Sequence, residues 1–181
     1  MKKFIASLTL LMGIYTTSIA QITAASITAS GLTCSMCSRS IYKSLVKLPA
    51  VAEVQEDIEH SAFQVKFKPG STVTPDMLRK AVTDAGFAIA SLKMTATFHD
   101  NEVENDTHLD LEGNTYHFLG VKKQQLNGEQ TFTVVDKNFV TAAQARKYGK
   151  MTTMKCYATG VSESCCHSGN KKGSRIYHIT L

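Results

Sequence analysis

From Ile27 to Ser30 the chain alternates apolar and polar residues, as a strand with one buried face does. Ile41, Leu45 and Leu48 then recur at helical spacing with Arg39, Lys43 and Lys47 between them, which predicts a helix from Ser35 to Leu48 closed by Pro49. Val51, Val54 and Ile58 suggest a second strand, Glu59-His60-Ser61 a turn, and Phe63 to Phe67 a cleanly alternating third strand ended by Pro69-Gly70-Ser71. Thr74-Pro75-Asp76 offers a capping hydroxyl, a proline at the first helical position and an acid in the first turn. Met77, Leu78, Ala81 and Val82 give that helix its apolar face, Gly86 ends it, and Ala88 to Met94 reads as a strand. The order β-α-β-β-α-β is that of a ferredoxin-like fold, an antiparallel sheet with both helices on one face.

Beyond Met94 the pattern changes. Asp100 to Asp106 is polar and acidic, a linker or the edge of the next strand. His108 to Leu111 and Thr115 to Leu119 flank Glu112-Gly113-Asn114 as a hairpin. Further strands are expected at Thr131 to Val135, Met151 to Tyr157 and Arg175 to Leu181. Thr141-Ala142-Ala143-Gln144 has the spacing of a capping box and opens a short helix through Tyr148, ended by Gly149. Three strands, a helix and two strands is the order of an OB-like barrel, with another small β-rich arrangement as the alternative. The fold class is therefore α+β. Residues 1–20 precede an expected first domain of 21–98 and a second of 99–181.

Lys2 and Lys3 precede an apolar run from Phe4 to Tyr15, and Ser18-Ile19-Ala20 supplies small residues for cleavage before Gln21. This is the pattern of a secretory signal peptide, too short for a membrane span, and it implies a periplasmic or secreted mature chain. Without it the formal charge falls from +5 to +3, and no basic run with interleaved aromatics suggests a nucleic-acid partner. Export permits disulfides, yet all five cysteines lie in the mature part. The odd number leaves at least one thiol to stay reduced, pair between molecules or bind metal.

Cys34 and Cys37 lie in the strand-to-helix loop Gly31-Leu32-Thr33-Cys34-Ser35-Met36-Cys37, with Cys37 near the first helical turn. The positive end of a helix favours thiolate over thiol, and thiolates select soft ions. No second cysteine pair follows at the spacing of a zinc finger. The stretch resembles the G-M-T-C-x-x-C motif of heavy-metal-associated domains, found in copper chaperones, copper-pumping ATPases and the periplasmic mercury-binding protein. The similarity runs over about residues 25–94 and includes Leu48-Pro49-Ala50-Val51 and Asp84-Ala85-Gly86-Phe87. Leu32 stands where the family usually has Met, a substitution of similar size. The resemblance implies that Cys34 and Cys37 bind the metal, and that Phe87 lies beside them, as a shield or as filling for the core.

The reading is a non-enzymatic, exported protein that binds or delivers Cu(I), as a copper chaperone does, with Hg(II) and Zn(II) as rival ions. It would exchange metal with a partner carrying its own soft ligands, a transporter or a second metal carrier. A thiol–disulfide oxidoreductase using the same pair is the alternative. Against it, the chain has no Trp before the motif, and Pro49, Pro69 and Pro75 all have turn or helix-start roles.

The long loop from Gly160 to Ser174 carries Cys165-Cys166-His167, with Cys156 before it and His178 after. A disulfide from Cys156 to Cys165 or Cys166 is the favoured expectation, ahead of a second soft-metal site. His60, His99, His108 and His117 are expected as surface or packing residues, and Met151 and Met154 as core.

Overall fold

The computed structural model describes residues 21–32, 35–57, 59–162 and 173–181. β1 (Gln21–Ser30) buries Ile22, Ala25, Ile27 and Ala29, and a bulge between Ile22 and Ala24 absorbs the break in their alternation. α1 (Ser35–Leu45) turns Ile41 and Leu45 wholly inward. It stops one turn before the expected Leu48, where Leu48 N–H bonds back to Leu45 O in a tighter turn. β2 (Val51–Asp57) and β3 (Ala62–Phe67) follow as an antiparallel pair, with a register shift between Val51 and Glu53.

α2 (Pro75–Asp84) begins and ends as its sequence dictates. Thr74 caps it by accepting from Met77 N–H. At its end Phe87 N–H bonds Val82 O and Gly86 N–H bonds Thr83 O, with Gly86 at φ +90°, the paired bonds of a Schellman cap. α1 and α2 pack against each other over strands in the order β2-β3-β1-β4, the ferredoxin-like arrangement.

The last strand of that unit runs well past Met94. β4 (Ala88–Val103) keeps Leu92, Met94, Ala96 and Phe98 fully buried, then bulges at His99 and Asp100 and continues through Asn101 to Val103. The first four residues of the acidic stretch taken as linker or strand edge, Asp100 to Val103, are thus strand, and the division at 98/99 falls inside β4.

β5 (His108–Leu111) and β6 (Asn114–Phe118) form the expected hairpin. Glu112 and Gly113 both take positive φ, 51° and 77°, as a two-residue type I′ turn requires. β7 (Gln124–Val134) pairs with β4, and β8 (Ile176–Thr180) lies between β7 and β6, parallel to β6. Among the described residues the OB-like barrel is not found: their eight strands form one open sheet, β2-β3-β1-β4-β7-β8-β6-β5, with β2 and β5 as its edges.

α3 (Ala142–Tyr148) carries the complete capping box of Thr141 and Gln144 and is closed by Gly149. The strand expected from Met151 to Tyr157 is absent. Its apolar residues, Met151, Met154 and Tyr157, are spaced by three, and the segment ends in the single-turn helix α4 (Cys156–Thr159), capped by Gly160 at φ +73°. Tyr157 Oη donates to Val135 O and Ala145 O, which fastens α4 to the sheet and to α3.

One buried apolar cluster extends from Ile22 to Ile179 and includes residues of both halves. Glu112, at the tip of the β5–β6 hairpin, accepts from Ile22 N–H at 2.9 Å and Val73 N–H at 3.4 Å.

Candidate metal centre

The cysteine loop leaves β1 at Gly31, whose φ of +80° lies in the left-handed region that side chains other than glycine's adopt at a cost. Four residues later α1 begins, which puts Cys37 in its first turn. Cys37 is half-buried, Ser38 beside it is buried, and Met36 is exposed at 81%. No acidic residue occupies that turn, so nothing there offsets the positive helix end that favours a thiolate. Cys34 lies outside the described residues. Phe87, the first residue past the α2 cap, is half-buried and packs on the core.

The sequence of this unit matches the family described as the heavy-metal-associated domain over residues 26–88. Over residues 26–88 the chain is similar to that family. The match stops within the first residues of β4, so the heavy-metal-associated domain accounts for the first part of the sheet and for α1 and α2. No curated protein matches the chain.

Solved structures similar to the chain include the N-terminal domain of PacS from Synechocystis PCC6803. It is 26% identical over 36% of this chain and 91% of that one, with a TM-score of 0.32. The yeast copper transporter domain Ccc2a, solved in apo and Cu(I)-loaded states, is 26% identical over 36% of this chain and 88% of its own, with a TM-score of 0.33. Apo-CopP from Helicobacter pylori is 24% identical over 37% of this chain and 98% of its own, with a TM-score of 0.32.

A second group of ligand-type side chains lies outside the heavy-metal-associated domain. His108 on β5 and His117 on β6 are register partners, and His117 is in turn the register partner of His178 on β8. The three imidazoles therefore stand in a row across neighbouring strands. The His108 and His117 rings stack at 4.3 Å, and the His117 and His178 rings meet edge to face at 5.1 Å. Cys156, fully buried in the first turn of α4, places Sγ 3.5 Å from His117 Nδ1.

Two carboxylates orient this row. His117 Nε2–H donates to Asp106 Oδ1 at 3.0 Å, and His178 Nδ1–H donates to Asp136 Oδ1 at 2.8 Å. Burial, reinforced by the charges of His108 and His178, pushes the His117 imidazolium down to about 4 against the pull of Asp106. Burial, then His178, also lowers His108.

His178 was a candidate ligand from sequence. His108 and His117 were expected as surface or packing residues, and the register brings them together instead. The signal was present in the hairpin: with Glu112-Gly113 as a two-residue turn, counting outward pairs 111 with 114 and 108 with 117. His60 is in an exposed turn against Asp57, and His99 is exposed at the β4 bulge. Met154 packs beside Cys156, and Met151 lies next to Gly120. Cys165, Cys166 and His167, and with them the expected disulfide to Cys156, lie outside the described residues.

Proposed function

We propose that this chain is an exported soft-metal carrier, binding Cu(I) through Cys34 and Cys37 and passing it to a partner by thiolate exchange. The observation that carries the reading is Cys37 in the first turn of α1, within the stretch that matches the heavy-metal-associated domain, behind a left-handed glycine and with no acid in that turn. Two thiolates suit a soft ion of low coordination number and leave a side open to an incoming thiolate. Hg(II) satisfies the same chemistry, and Zn(II) would need ligands beyond the pair. The copper-related relatives, among them the yeast domain solved with Cu(I), favour copper. The leader-like first twenty residues support a periplasmic or secreted location, and no helix among the described residues is long and apolar enough to cross a membrane.

The test is Cu(I) competition against a chromophoric chelator with Cys34→Ser, Cys37→Ser and the double variant. The expected result is unchanged circular dichroism and loss of the tight loop equivalent. A double variant that retains every tight equivalent of the parent overturns the reading. Insulin-disulfide reduction separates the rival class: turnover that disappears with Cys34→Ser would make the pair a redox centre, and none is expected.

A further inference from the structure

We propose that His108, His117 and Cys156 form a second metal site, taking one copper or zinc ion, distinct from the cysteine loop. One ring nitrogen from each histidine and the sulfur of Cys156 all lie within 4.8 Å of one another. In a tetrahedral site with bonds of ~2.0–2.3 Å, neighbouring ligand atoms sit ~3–4 Å apart, so the group is within about 1 Å of closing on an ion. Two imidazoles and a thiolate are a borderline-to-soft donor set, suited to late transition metals and not to magnesium or calcium.

Three features separate this group from ordinary packing. First, His108 Nε2 and His178 Nε2 are buried with no hydrogen-bond partner among the described residues. An orphaned buried nitrogen carries a desolvation cost that coordination would remove. Second, Asp106 accepts a hydrogen bond from His117 Nε2–H, which fixes the tautomer and leaves the Nδ1 lone pair facing Cys156. That is the carboxylate–histidine arrangement found behind metal ligands. Third, the ligands come from elements that the fold holds rigidly: β5 and β6 by register, α4 through Tyr157.

Access is through His108, the half-exposed member, on the edge strand of the sheet. An imidazole lone pair lies in its ring plane, so two stacked rings cannot both point at one ion. Loading therefore turns His108 out of the stack while His117 stays anchored to Asp106. As the sulfur–metal bond forms, the Cys156 thiol gives up its proton to solvent.

The same atoms, read as Cys156, His117 and Asp106, have the order of a nucleophile, base and orienting acid. The sulfur is fully buried, however, and no carbonyl substrate reaches it. That reading also leaves the His108 nitrogen without a purpose.

The experiment titrates Co(II) into the reduced full chain carrying Cys34→Ser and Cys37→Ser, so that the loop site is removed and its fate is independent. One equivalent should bind with a thiolate-to-cobalt charge-transfer band and tetrahedral d–d absorption, and Zn(II) should displace it. Cys156→Ala should abolish the band. His108→Gln, at a half-exposed position that does not threaten folding, should abolish the tetrahedral signature, and Asp106→Asn should weaken binding roughly 10–100-fold. The proposal is overturned if no equivalent binds in the serine background, or if the band survives Cys156→Ala. It is equally overturned if peptide mapping of the untreated protein finds Cys156 in a disulfide.

Discussion

Arg175 Nε donates to Asp76 Oδ2 at 3.0 Å, joining the approach to the last strand to the first turn of α2 across 99 positions of chain. Tyr177 Oη donates to the same carboxylate oxygen at 3.2 Å, and the Arg175 guanidinium lies over the Tyr177 ring at 4.4 Å. Arg175 also reaches Asp136, which holds His178. A line of charge therefore runs from the heavy-metal-associated domain to the histidine row. Burial raises the Asp76 carboxyl, but Arg175, Tyr177 and Arg79 together outweigh it and hold it below its ordinary value.

Arg175→Met keeps the aliphatic stem and removes this link. The pair is about a third exposed, so the loss should be about 1–2 kcal/mol, at the modest end for charge-assisted bonds. Urea unfolding measures it. Because Asp76 is depressed, its contribution is present at neutral pH and is lost as pH falls through the acid range. The difference between parent and variant should therefore shrink toward pH 3.

Glu112→Ala removes an acceptor shared by Ile22 N–H and Val73 N–H. Ile22 belongs to β1 and Val73 to the approach to α2, whereas Glu112 belongs to the β5–β6 hairpin. The expected cost is about 1–3 kcal/mol, with faster amide hydrogen exchange at Ile22 and Val73. Unchanged exchange at both amides would show that the hairpin tip does not hold them.

The histidine row makes the protein acid-sensitive. His117 stays neutral in the fold down to about 4, whereas in the unfolded chain it takes a proton near 6.5. Between those values the unfolded state holds more protons, so stability should fall as pH drops, by roughly 1 kcal/mol per pH unit. Denaturant midpoints at pH 7, 6 and 5 test this. Proton NMR should show the His117 ring still neutral at pH 5.

Local signals in the sequence carried much of the fold. Thr74-Pro75, Gly86 and the Thr141/Gln144 box act within one turn of chain, and the structure places each where its side-chain chemistry requires. β4 ran further than expected although its alternation of Leu92, Met94, Ala96 and Phe98 was readable, because the family resemblance ends near Met94. The first half of β7, Gln124 to Gln130, is too polar to announce a strand; its pairing with β4 makes it one.

Of the candidate sites, the cysteine loop was legible because its two cysteines fall within four residues of sequence. The histidine row was not, because His108, His117 and His178 meet only through strand register. Cys156 joins them from a segment expected to be extended, where a short helix turns its sulfur inward.

β4 is sixteen residues long and spans ~50 Å, bent once by its bulge. Modules tied by a slack tether swivel independently, and a visitor to one is blind to the other. Here a single beam passes through both halves and fixes the angle between them. The first half cannot swing against the second without breaking the β1–β4 or the β4–β7 ladder.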